Sequence, residues 1–107
     1  MRAADIYIYG NLAGRLTEDE NGYSFIYNDE YIAFDEAVPI SKLFPLNQKE
    51  YRDRVLFPFF DGLIPEGWLL DIAEKNWKLD ANDRMGLLLA CCKDCIGAVS
   101  VVEVSNV

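Results

Sequence analysis

Asp5-Ile6-Tyr7-Ile8-Tyr9 alternates β-branched and aromatic side chains, the period-two pattern of a strand. Gly10-Asn11 marks a tight turn, and Leu12 to Leu16 reads as the returning strand, with Gly14 a candidate bulge. The polar run from Thr17 to Gly22 is a loop. Tyr23, Phe25 and Tyr27 fall on one face of a third strand, and Asn28-Asp29-Glu30 turns the chain into a short fourth strand at Tyr31-Ile32-Ala33. The spacing predicts an antiparallel meander.

Beyond it the period is lost. Pro39 and Pro45 argue against a helix interior or a central strand between Asp35 and Leu46, which reads as irregular, and residues 47–57 fit neither template. Pro58 suits the first turn of a short helix running to about Leu63. A second helix is expected from Pro65 or Glu66 to Trp77. A third follows Asp80, read as its N-cap with Asp83 in a capping-box-like place, and continues to about Cys92. The Val-rich stretch from Gly97 to Val104 is a last strand, which must return beside or between the first strands because a lone Val-rich strand aggregates. Strands, then helices, then a strand give an α+β class: a mainly antiparallel sheet of about five strands with about three helices packed on one side. A length of 107 residues is that of one domain, residues 1–107.

Charge narrows the function. The chain carries 18 acidic and 10 basic residues, no His, and a net charge of -8. An acidic domain is repelled by phosphates, so direct nucleic-acid binding is not expected, and anionic lipid offers it little. No apolar run is long enough to span a membrane. Met1-Arg2-Ala3-Ala4-Asp5 is not a signal peptide, since no apolar stretch follows the Arg, and a cytoplasmic location is the reading.

Enzyme chemistry finds little to work with. His, the commonest general base and metal ligand, is missing. Gly10-Asn11-Leu12-Ala13-Gly14 lacks the spacing and the following helix of a phosphate loop. Glu18, Asp19, Glu20, Asp29, Glu30, Asp35 and Glu36 read as solvated loop charges. Cys91-Cys92-Lys93-Asp94-Cys95 supplies three thiols where structural zinc takes four ligands. Neighbouring helical residues also point about 100 degrees apart. The cysteines are read as small hydrophobes, with no metal, no disulfide and no cofactor.

One segment stands apart. Phe57, Phe59, Phe60, Leu63 and Ile64 supply core material. In the helix that follows, Leu69, Ile72, Ala73 and Asn76 share one stripe, with Leu70 and Trp77 at one edge and Trp68 at the other. Trp68 lies about 90 degrees from the stripe's centre, in the first turn. A Trp so placed is either half-packed or an anchor for a partner, Trp being the residue most enriched at interface hot spots.

The order of motifs carries a resemblance. Ile6-Tyr7-Ile8-Tyr9-Gly10 with Ala13-Gly14-Arg15-Leu16 is similar to the opening hairpin of the first N-terminal subdomain of HipA-type serine/threonine kinases, toxins of toxin–antitoxin loci. Tyr23 to Tyr27 is similar to its third strand, and Pro39-Ile40-Ser41 with Pro45-Leu46 to its "P-I-S … P-L" segment. Phe60-Asp61-Gly62-Leu63-Ile64-Pro65-Glu66-Gly67 resembles "F-F-D-x-L-L-P-E-G", Asp83 and Gly86-Leu87-Leu88 fit the next helix, and Asp94 to Val99 matches "D-C-x-G-A-V". As a separate small chain it resembles HipS, the antitoxin of HipBST systems.

The resemblance implies an antitoxin subunit, not an enzyme, that binds and inhibits a HipT- or HipA-like kinase by docking near its active site. A HipB-like DNA-binding protein is implied in the same complex. The partner-binding residues it points to are Trp68, Glu66, Gly67, Pro65 and Leu70. Gly67, lacking a Cβ, lets a partner backbone come close. The kinase's nucleotide loop, catalytic Asp and metal-binding Asp lie beyond this region, and no residue here matches them. An N-terminal piece of a longer HipA-like kinase, or a non-inhibitory interaction module, are the alternatives.

Overall fold

A computed structural model describes residues 1–64, 67, 80, 82–92 and 98–104. A five-stranded antiparallel sheet runs in the order β4-β3-β2-β1-β5. Its strands are β1 (Arg2–Ile8), β2 (Asn11–Asp19), β3 (Gly22–Tyr27), β4 (Glu50–Asp53) and β5 (Val99–Glu103). Three short helices are described: α1 (Asp29–Ile32), α2 (Pro58–Asp61) and α3 (Arg84–Cys91). The α+β class and the antiparallel sheet expected of the sequence are what forms.

Alternation fixes which face is buried. Ala4 and Ile6 pair with Leu16 and Gly14 across β2, and these with Phe25 and Tyr27 across β3. On the other side Ile6 and Ile8 pair with Val101 and Val99 of β5. All of these are buried. The register of β1 on β2 shifts between Ile6 and Tyr7, a bulge beside Gly14. Gly14 is required there: a Cβ would collide with the carbonyl oxygen of Ile26 and crowd the Phe25 ring. Onto this face α2 delivers Phe60 and α3 delivers Met85, Leu87 and Leu88.

Four local expectations are corrected. The run from Thr17 to Gly22 is not all loop: β2 continues through Asp19, and Glu18, read as a solvated charge, accepts from Arg2 and Tyr23 across the sheet. Tyr31-Ile32-Ala33 is not a strand. Tyr31 and Ile32 belong to α1 and Ala33 caps it, with Ile32 and Ala33 donating to the carbonyls of Asn28 and Asp29. A three-residue apolar run carries no period of its own, and the turn is settled by Tyr31, whose ring stacks on Tyr27 at 6.1 Å. The fourth strand is Glu50–Asp53 instead, in the stretch where no period was legible. The N-cap of α3 is Asp83, not Asp80: the Asp83 carboxylate accepts from the Gly86 amide, while Asp80 accepts from Asn82 in the turn before. The expected helix from Pro65 or Glu66 to Trp77 lies outside the described residues, apart from Gly67.

The irregular stretch between α1 and β4 is held by tyrosine hydroxyls. Tyr27 donates to the Phe44 carbonyl (2.6 Å) and accepts from the Ile40 amide (3.1 Å). Tyr31 donates to the Val38 carbonyl and accepts from its amide (2.7 and 3.1 Å), and Tyr51 donates to the Pro45 carbonyl. A segment without ladder partners thus still has its inner backbone groups paired, as buried groups must be.

Candidate partner-binding site

Phe57 to Ile64 is built on an aromatic layer. Pro58 opens α2, its missing N–H being one that a helix start leaves unpaired anyway. The Phe60 ring is fully buried, with centroids at 5.7 Å from Phe25, 5.7 Å from Phe44 and 5.2 Å from Phe59. Phe44 is the hub, also meeting Tyr51 at 4.9 Å and Phe57 at 5.3 Å. Edge-on and tilted contacts of this kind add about 0.5–1.5 kcal/mol per pair beyond the area they bury.

The far end of α2 is clamped to α3. Arg84 Nε donates to Asp61 at 2.6 Å, which raises the Arg84 pKa, and the buried Cys92 thiol donates to the Leu63 carbonyl at 3.4 Å. Four residues past Leu63, Gly67 is exposed, and a Cβ built there meets no heavy atom within 4 Å. Of the residues expected to bind a partner, Gly67 is therefore placed on the surface, just past a rigid aromatic support. Trp68, Glu66, Pro65 and Leu70 lie outside the described residues.

Two residues bordering this support escaped sequence reasoning. Leu43, 60% exposed, precedes the Phe44 hub, and Val55, 64% exposed, precedes Leu56 and Phe57. Both sit in stretches with no period, so no pattern marks them as outward-facing.

Elsewhere the polar groups are occupied with one another. Arg2 donates from Nε and Nη2 to Glu18 (2.6 and 3.0 Å) and from Nη1 and Nη2 to Asp83 (2.8 and 2.7 Å). Tyr23 donates to the same Glu18 at 3.0 Å. The Arg2 hydrogen bonds hold the Asp83 carboxyl below its usual range, and those acceptors raise the Arg2 pKa in turn. Burial, then Glu18, pushes the Tyr23 phenol up to about 12. This cluster ties β1, β2 and the start of α3 together, and its donors and acceptors leave little for a substrate. Among the described residues no group of His, Cys, Asp and Glu could hold a metal ion. A hollow of about 290 Å³ at the β2–β3 turn is lined by Asp19, Asn21, Tyr23, Arg52, Asp53 and Arg54 among others. There Asp19 accepts from the Asn21 amide, Asp53 from the Arg54 amide, and Arg52 pairs with Glu50.

Residues 4–102 match the family model described as HipA N-terminal domain. The chain belongs to that family. A solved structure, the "N-terminal domain of HipA toxin", superposes with a TM-score of 0.80 at 30% identity, covering 100% of this chain and 96% of that one. A Haemophilus influenzae protein carrying no functional name is 34% identical over 103 residues, 96% of this chain and 93% of its own length. A Sinorhizobium fredii protein named "Putative kinase Y4mE" is 28% identical over 67 residues, 62% of this chain but only 16% of that protein.

The HipA N-terminal domain relationship makes this chain a HipA- or HipS-like module. The motifs that carry the family pattern fall on two parts of the described structure. Ile40 and Phe44 of the proline-flanked loop are bonded to Tyr27, and Phe60 of the second motif packs on Phe44. Ala98 and Val99 of the last motif lead into β5, and residues 93–97 lie outside the described residues.

Proposed function

We propose that this HipA N-terminal domain, residues 1–107 as one domain, is an antitoxin subunit that binds a HipT- or HipA-like serine/threonine kinase and restrains it. The observation that carries the reading is length: the Haemophilus influenzae relative is matched over 93% of itself, so the domain stands as a small chain in at least that protein. Docking occurs near the kinase active site through Pro65 to Leu70, with Trp68 as the anchor and Gly67 admitting the partner backbone. The exposed Gly67 and the aromatic support beneath α2 suit that role. A HipB-like DNA-binding protein is the third member of the complex, and this chain itself touches neither nucleic acid nor membrane. Among the described residues no helix is long and apolar enough to cross a membrane.

A second reading takes the chain as the N-terminal part of a longer HipA-like kinase, favoured by its match to 16% of the kinase-named relative. The interface is then intramolecular but uses the same surface.

Co-expression with such a kinase lacking its own first subdomain, followed by size-exclusion chromatography and an autophosphorylation assay, tests the proposal. A stable complex with suppressed activity is expected. Trp68→Ala weakens binding by about 30- to 1,000-fold, the effect of losing about 2–4 kcal/mol at a hot spot. Gly67→Gln gives a second handle, because the added side chain starts in open space and leaves the fold intact. Separate elution at micromolar concentration, or inhibition that survives both substitutions, refutes it.

A further inference from the structure

The β1–β2 hairpin tip has no part in the site above. It is a two-residue turn in which Ile8 pairs with Asn11 and both central residues have positive φ, Tyr9 at 49° and Gly10 at 81°. Turns of this type favour Asn or Asp at the first central position, and a Tyr there is uncommon. Tyr9 is 76% exposed, so burial is no compensation. Leu12 follows at 40% exposure, and across a hollow from it stands Phe34, just past α1, at 41%. Asn11, Leu12, Asn28, Glu30, Tyr31 and Phe34 line that hollow, whose volume is about 250 Å³.

We propose that this hollow is a second docking site, taking a basic segment of a protein partner that inserts one bulky apolar side chain between Leu12 and Phe34. Its volume falls below the range of small-molecule pockets, roughly 300–1,000 Å³, and Leu12, Tyr31 and Phe34 give it apolar walls beside the polar Asn11, Asn28 and Glu30, so it fits a single side chain and not a metabolite. The Tyr31 hydroxyl is already committed to Val38 and offers a ligand nothing. The rim sets the sign of the occupant. Glu30 lines the hollow, and Asp35 and Glu36, both exposed, directly follow Phe34. The nearby Lys49 is taken up by Asp29 at 2.8 Å. Acidic groups beside the apolar walls of Leu12 and Phe34 select Lys or Arg on either side of the inserted residue, and they repel a second copy of this acidic chain. Tyr9, of a type enriched at hot spots, widens the contact at the same end of the sheet.

The test is a ¹⁵N-¹H titration of the full chain with synthetic peptides carrying Lys and Arg on both sides of one central Leu, Phe or Trp. Saturable shifts are expected at Leu12, Asn28, Glu30 and Phe34. They vanish when the central residue is Ala or when Glu replaces the basic residues. Leu12→Ser with Phe34→Ser, and separately Glu30→Lys with Asp35→Lys, each weaken binding about tenfold or more while the melting temperature holds, in keeping with loss of a hot-spot contact. Trp68→Ala leaves this binding unchanged, which separates the proposal from the kinase interface. It is overturned if no peptide gives saturable shifts there, if the Ala peptide binds as well, if shifts centre on Asp19 and Glu20, or if the chain dimerises through Leu12 and Phe34.

Discussion

Replacing Tyr27 by Phe removes one oxygen and leaves two buried backbone groups, the Phe44 carbonyl and the Ile40 amide, without their partner. Each such group costs about 1–3 kcal/mol when buried and unpaired, so the variant loses about 2–4 kcal/mol after partial relaxation. In a domain of this size that lowers the melting temperature by about 10–20 °C. Tyr31→Phe is the internal control. Its hydroxyl makes the same pair of bonds, to the carbonyl and amide of Val38, but Val38 is 41% exposed. Water replaces the lost oxygen there, and the loss is about 0.5–1.5 kcal/mol. Chemical denaturation of both variants, with amide exchange at Ile40 and Val38, measures the difference. If Tyr31→Phe is as damaging as Tyr27→Phe, or if Tyr27→Phe falls within about 0.5 kcal/mol of the parent, burial does not set the strength of these brackets and the reasoning fails.

Alkaline stability follows from the phenols. Burial pushes Tyr27 up to about 12 from an ordinary 10, against the opposing pull of the Ile40 amide. The folded form then holds protons that the unfolded chain has lost, so stability is complete below pH 10 and declines as pH rises towards 12, and Tyr27→Phe flattens that decline in denaturation midpoints. Asp83 works in the opposite direction: its lowered pKa gives stability that is present above the ordinary carboxylate range and is lost on acidification. Arg2→Met removes that contribution and leaves Glu18 and Asp83 facing each other. It costs about 1 kcal/mol near neutral pH once solvent screening of these part-exposed groups is counted, and the gap to the parent closes in acid. Phe44→Leu keeps the hub apolar but removes its ring contacts, and a loss of about 1–3 kcal/mol is expected by denaturation. A cost below that range would show that Phe44 is filler and not the support of α2.

The sheet was legible because β1, β3 and β5 each bury one face and write it as alternation. What escaped was decided by partners far along the chain. β4 offers only Tyr51 to the core among Glu50, Arg52 and Asp53, so no period exists, and the strand forms because β3 presents a free edge to it. Asp80 and Asp83 are equal candidates for a cap when read locally. The structure favours Asp83, where Arg2, 81 residues away, holds the carboxylate while it accepts from Gly86. At the site, the apolar character of Phe57 to Ile64 was readable. The Phe44 hub and the exposed Leu43 and Val55 were not, because they come from the irregular loop that the tyrosine hydroxyls fold back.

The distribution of charge separates what the surface does for encounter from what it does for residence. Arg2, Arg15, Lys49, Arg52 and Arg84 are each paired with a carboxylate of the domain itself. Asp19 at the end of β2, Glu30 in α1, and Glu20, Asp35 and Glu36 in turns stay exposed. Among the described residues the excess negative charge therefore resides on exposed groups, not in the ion pairs that brace the fold. Such a field accelerates association with a basic surface and fades as salt shortens its reach to about 8 Å at physiological ionic strength. An apolar anchor acts on dissociation instead, and salt leaves it largely untouched. Under the proposed function the two contributions come apart in one kinetic experiment. Raising salt slows kinase association with little change in dissociation, Trp68→Ala speeds dissociation with little change in association, and a salt effect confined to dissociation would place the charges inside the interface.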